Sequence, residues 1–318
     1  MSVKLDEGSR KKRRGKIDAV SVCLWLAAAG VLIGAVFMMR KGLDEYGAMA
    51  DMVTTWKQIE HIAESEPDPQ GPSHFVETSS RDDPADDGDP GEDDRRPSGG
   101  TLVDMSQPPA DDLLYKQVNL TALRDVNDDV SGYIVVPNTD ISYPILKDPG
   151  PGKYYYLRKN IYKNYDVYGS IFELSDAERD GNSGKPSGID WIFGHNMSSG
   201  AMFAQLHRYR TDPSYWDNPV YIYRSWYRTE YEVFGWVIIN ENDMAYDFGR
   251  YPIGSDAYVE LLEHLFEKDG MGKTAKADWP GRWDHITVLS TCYGGSGTSQ
   301  RMLLLLRDVR MAAAMPEL

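Results

Sequence analysis

The chain has 318 residues and a formal net charge of -15, from 49 acidic and 34 basic residues. That balance excludes a nucleic-acid partner, which needs a basic face. Charge is unevenly placed along the chain, and the unevenness divides it into segments.

Residues 1–18 are basic, with Arg10, Lys11, Lys12, Arg13, Arg14 and Lys16 outweighing Asp6, Glu7 and Asp18. Residues 19–39 are uncharged and mostly apolar; at about 1.5 Å per residue they reach roughly 31 Å, enough for a bilayer core of about 30 Å. This predicts a cytoplasmic basic tail (1–18), a single transmembrane anchor (19–39) and an extracellular remainder. A cleaved signal peptide is the rival reading. It would need a small-residue cleavage site, and the apolar run ends instead in Phe37, Met38 and Met39 before Arg40 and Lys41.

Residues 40–65 have helical spacing through Tyr46, Met49, Val53, Trp56 and Ile59, which predicts a stalk helix or one that docks on the main domain. Residues 66–110 are rich in proline and acid, with Asp82, Asp83, Asp86, Asp87, Asp89 and Glu92 close together. Such a stretch cannot bury enough apolar surface to offset ordering, and it predicts a disordered acidic spacer. A calcium-loop reading fails for want of regular ligand spacing.

Residues 111–318 suit one domain. A short helix is predicted over Asp112–Val126. Strands are predicted at Gly132–Val136, Ile141–Leu146, Ser170–Glu173, Ile189–Gly194, Val220–Tyr223, Tyr231–Ile239, His285–Cys292 and Met302–Val309. Helical patterns interrupt them at Ala201–Tyr209, capped by Ser198 or Ser199, and at Asp256–Lys268. Many short strands with few helices favour a mainly β fold with added helices, closed or nearly closed into a barrel that hides its sheet edges.

Cys292 ends an apolar strand beside a small, flexible, glycine-rich loop, Tyr293–Gln300. The other cysteine, Cys23, falls in the predicted anchor and cannot pair with it. A lone extracellular cysteine points to intermolecular pairing or a reactive site; a buried thiol acting as a small hydrophobe is the plainer alternative. A nucleophile needs a base and an oxyanion donor. His61 and His74 fall in stalk and spacer, and His207 and His264 sit on helical patterns that most simply face solvent. His285 is about 23 Å along the strand from Cys292 at about 3.3 Å per residue, and on the opposite face. His195 remains: like Cys292 it emerges where a strand gives way to a loop, although a loop histidine bonded to its neighbours fits equally. Arg301 opens the next strand and can present a fixed fork of donors; a solvated strand-end arginine is the common alternative. No metal or cofactor motif occurs: CxxC, HExxH, GxGxxG, the P-loop and the GxSxG elbow are all missing.

Taken jointly, Leu289–Cys292, an arginine nine residues later, and Gly194–Met197 followed by Met202 and Phe203 resemble the sortases, specifically class B. Val130–Val136, Ile141–Ile145, Tyr154–Leu157 and Gly169–Phe172 resemble the same family, as does the helix predicted between the late strands. The resemblance implies an eight-stranded sortase-type β-barrel with N-terminal helices, and no cofactor. It implies cysteine transpeptidation at a Gram-positive cell surface, with Cys292 as nucleophile, His195 as general acid/base and Arg301 binding oxyanion and substrate. The implied partners are a secreted protein bearing a C-terminal sorting motif and an amine acceptor from peptidoglycan or a pilin. Two alternatives use the same chain differently: a membrane-tethered cysteine peptidase without an amine acceptor, and a non-catalytic surface-binding module.

Overall fold

The computed structural model describes residue 40 and residues 52–65, 101–102, 111–150, 152, 154–181, 183–268, 278–295 and 297–313. The predicted tail (1–18), the predicted anchor (19–39) and most of the predicted spacer lie outside the described residues. Among the described residues, no helix is long and apolar enough to cross a membrane.

Nine strands run in chain order: β1 (Thr101–Leu102), β2 (Val130–Val135), β3 (Ser142–Lys147), β4 (Ile171–Glu173), β5 (Ile189–Phe193), β6 (Val220–Tyr223), β7 (Tyr227–Asn240), β8 (Ile286–Cys292) and β9 (Gln300–Ala313). Their lateral order is β1-β9-β7-β6-β2-β3-β4-β5-β8, and β8 pairs back onto β9. Eight strands therefore close into a barrel, leaving the two-residue β1 attached in parallel to β9. Closure removes the exposed edges that short strands would otherwise present. The β3–β4 and β5–β8 pairs are parallel and the remaining pairs within the ring are antiparallel. Val288, Leu289, Leu303 and Leu304 are all fully buried. Successive residues of a strand face opposite ways, so β8 and β9 are covered on both faces. Hence Val288–Leu289 and Met302–Leu306 read as continuous apolar runs rather than as alternation.

The helix over 52–63, here α1, docks on the barrel. Ile59 and Ala63 join the main core with Leu114 and Leu123. Asn119 donates its backbone N–H to Ala63 at 2.8 Å, and Trp56 meets Tyr143 edge-on at 4.6 Å. The predicted helix over Asp112–Val126 is instead two pieces, a 3-10 turn at Leu113–Tyr115 and α2 at Leu120–Val126. The break follows from capping: Asn119 accepts from Ala122 N–H at 2.9 Å and starts α2 afresh. Asp112 caps the turn while its carboxylate takes Arg310 of β9 at 2.6 and 3.0 Å.

Strands β7 and β9 both run past their predicted ends. Glu230 pairs with Arg310 across the ladder, so a charged pair extends it beyond the predicted ends. Between β5 and β6, the predicted helix over Ala201–Tyr209 is a 3-10 turn at Ala204–His207 leading into α4 (Arg208–Thr211), after a short α3 (Asp176–Asp180) earlier in the chain. The helix between the late strands, α5 (Asp256–Phe266), is capped by Ser255 and buries Tyr258, Leu261, Leu262 and Leu265. His264 at its end meets Asp243 at 2.7 Å, so that histidine is paired rather than free in solvent.

Candidate active site

One rim of the barrel is built by three strand ends. Cys292 is the last residue of β8, and Arg301 of β9 stands directly across the ladder from it. The connecting loop turns with Gly294 at φ +94° and Gly297 at φ +79°, conformations that favour glycine. Tyr293 N–H reaches the Gln300 carbonyl at 2.9 Å and shuts the base of the loop. The Arg301 guanidinium donates through Nη1 to the Thr298 and Gln300 carbonyls at 2.7 and 2.9 Å. Its Nη2 donates to Glu241 Oε2 at 2.5 Å. Glu241 follows β7 and is itself fixed by a 2.7 Å bond from its N–H to Ser299.

The imidazole arrives from the end of β5. Gly194 makes the turn possible, because a Cβ there would stand 2.5 Å from Ile171 Cδ1 and 2.7 Å from the Phe203 ring. His195 then donates from Nε2 to the Leu157 carbonyl at 2.8 Å. Since a carbonyl only accepts, the resting proton is on Nε2 and Nδ1 is the basic nitrogen. Burial lowers the pKa of His195 below its ordinary value; the Leu157 bond opposes this, and the charges of Arg158 and Arg301 reinforce it. The resting ring is therefore the neutral form at neutral pH.

Cys292, His195 and Arg301 line a single cavity of about 480 Å³. No hydrogen bond joins the three among the described residues. Catalytic bonds often tighten only once substrate is bound. The cavity wall is apolar and aromatic where Tyr154, Leu157, Phe172, Phe193 and Tyr246 face it, with Glu241 and Arg158 as its other charged groups. Such a wall buries side chains while a few polar groups fix orientation. Among the described residues no group of three or more His, Cys, Asp or Glu side chains is placed to hold a metal ion.

His207 departs from the solvent-facing position that its helical pattern predicts. It is half-buried, and its Nε2 donates to the Cys292 carbonyl at 3.0 Å. Asn196 Nδ2 reaches the same oxygen at 3.0 Å. Neither contact is legible from spacing, although Asn196 adjoins His195 in the motif. Glu241 was likewise without a signal, being a lone acid beyond a predicted strand.

No family model matches the chain. Sortase B of Listeria monocytogenes serovar 1/2a is 31% identical over 175 residues, covering 54% of this chain and 66% of that protein, just under two thirds of its length. The structure of sortase B from Clostridium perfringens aligns with a TM-score of 0.50 and 25% identity, covering 60% of this chain and 100% of that one. The closed eight-stranded barrel is thus shared with a sortase B structure. In sequence and fold the chain is similar to the class B sortases.

Proposed function

We propose that this protein is a transpeptidase that cuts a C-terminal sorting signal of a secreted protein and joins the new carboxyl end to an amine. The observation that carries this is the convergence of one thiol, one imidazole and one guanidinium on a single cavity. In the first half-reaction Cys292 gives its proton to His195 and attacks the scissile carbonyl as thiolate. Arg301 donates to the resulting oxyanion, for which five N–H groups in a fork are suited. The C–N bond breaks, His195 returns the proton to the departing amine, and a thioester remains on Cys292. In the second half-reaction an incoming amine loses a proton to His195 and attacks the thioester; the C–S bond breaks and Cys292 leaves as thiolate. Splitting the exchange this way keeps the acyl group activated, so transfer competes with hydrolysis.

Residues 19–39 would anchor the enzyme in the membrane with 1–18 cytoplasmic, and 66–110 would act as the spacer to residues 111–318. That arrangement sets the cavity at the outer membrane face, where secreted substrate and a peptidoglycan-precursor or pilin amine arrive. The test is Cys292→Ala in the full chain, assayed for cleavage and amine transfer of a sorting peptide. Loss of both is expected, and retained turnover would refute the assignment. Wild-type enzyme that cleaves but never transfers to any amine would instead be a cysteine peptidase.

A further inference from the structure

Strand β5 parts from β8 just short of Cys292. The last backbone bond of that parallel ladder runs from Gly194 N–H to the Ser290 carbonyl at 3.1 Å. Bonds in a parallel pair recur every second residue, so the next would run from Asn196 N–H to the Cys292 carbonyl. The backbone does not make it, because the chain has turned at Gly194 to aim His195 into the cavity, and Asn196 bridges to Met202 instead. An acceptor abandoned at the end of a ladder is costly unless another donor replaces the lost one. Here two do. Asn196 Nδ2 and His207 Nε2 each stand 3.0 Å from the Cys292 oxygen and 3.1 Å from one another, so both approach it from the same side. The Tyr293 ring centroid lies 6.0 Å from that of His207, and the Arg210 guanidinium lies over the Tyr293 ring at 5.4 Å.

We propose that Asn196 and His207 are positioning residues that substitute for the missing ladder bond and fix the Cys292 peptide relative to His195. Resting on the reading of Cys292 as nucleophile, this adds two members to the site that act through it. Asn196 is the direct neighbour of His195, so its bond to Cys292 ties base and nucleophile across the gap where the strands separate. His207 supplies the second restraint from a different element, which prevents the Cys292 peptide from pivoting about the first. A displacement of about 1 Å at a reacting group can cost on the order of 100-fold in rate.

The experiment compares Asn196→Asp, His207→Leu and His207→Gln in the full chain. Asn196→Asp keeps shape but turns a donor into an acceptor facing a carbonyl; His207→Gln keeps an N–H donor where His207→Leu does not. Each variant is titrated for reactive thiol, and kcat and KM for a sorting peptide are expressed per titrated thiol. The rate of Cys292 alkylation by iodoacetamide is measured alongside. Asn196→Asp and His207→Leu should lose about 10- to 100-fold in kcat with KM nearly unchanged. Both should also alkylate more slowly, and His207→Gln should stay close to wild type in every readout. A purely structural role would lower the titratable fraction without changing activity per thiol. Near-normal kcat per thiol in Asn196→Asp and His207→Leu, or a His207→Gln as impaired as His207→Leu, overturns the proposal. Alkylation needs no peptide, so it tests the restraint even if Cys292→Ala were to retain turnover and the transpeptidase reading failed.

Discussion

The β8–β9 hairpin and the segment following β5 deliver side chains to the same cavity by different means. In the hairpin, Cys292 and Arg301 are opposite each other because backbone pairing puts them there. Behind them the ladder continues through Thr291, Ser290 and Leu289 without interruption. The segment after β5 has no such ladder: His195 is held by a bond to Leu157, and Asn196 and His207 by bonds to Cys292. Position is inherited from a sheet in the first region and assembled from single contacts in the second. The hairpin should therefore tolerate side-chain changes without moving, whereas the other segment should lose geometry when one contact is altered.

The strongest test on the hairpin side is Arg301→Lys. Charge is retained, but the fork that meets Thr298, Gln300 and Glu241 together is not. Loss of an oxyanion donor lowers kcat on the order of 100-fold, with little change in melting temperature expected because β9 is held by its backbone. A variant with near-normal kcat/KM would remove Arg301 from the mechanism. A variant that melts much earlier would deny that the hairpin is fixed independently of this side chain.

That same division decides what was legible in the sequence. Apolar runs at 286–292 and 302–306 require buried strands, and a thiol followed nine residues later by arginine then sits at their joined ends. The two strands and the pairing of Cys292 with Arg301 across them were readable on that basis. His207 was not. A 3.6-residue period over 201–209 turns it outward, but the structure adopts a 3-10 turn at Ala204–His207, and three residues per turn present a different set of side chains inward. Asp112–Val126 misled for a related reason, since Asn119 is compatible with a helix interior by period yet gains more as a cap.

On the other side of the comparison, Gly194→Ala places a methyl 2.5 Å from Ile171 Cδ1 and 2.7 Å from Phe203. Overpacking of this kind costs about 1–3 kcal/mol, read as an earlier melting transition. Because the displaced turn carries His195, activity per folded molecule should fall as well. If stability drops while activity per folded molecule is unchanged, the turn is a packing feature and does not aim the imidazole.

The smallest expected effect is a pH dependence of stability to which the second region contributes through its histidines. Burial lowers the pKa of both His195 and His207 below 6.5; the Cys292 bond opposes the shift at His207, and Arg210 adds to it. Between the lowered and the ordinary value, the unfolded chain binds protons that the folded one does not. Stability from these groups is therefore complete above the ordinary value and is lost as pH falls through the lowered one. Asp148 works in the opposite sense, since burial raises its carboxyl to about 6 and its contribution fades as pH rises. Comparing wild type with His207→Gln cancels Asp148 and leaves the histidine. The variant should lose less stability than wild type on acidification through the histidine range, measured by thermal melting at a series of pH values. Equal slopes would mean that His207 is as accessible to protons in the fold as in the unfolded chain. A restraint on Cys292 built from a desolvated imidazole could not then be correct.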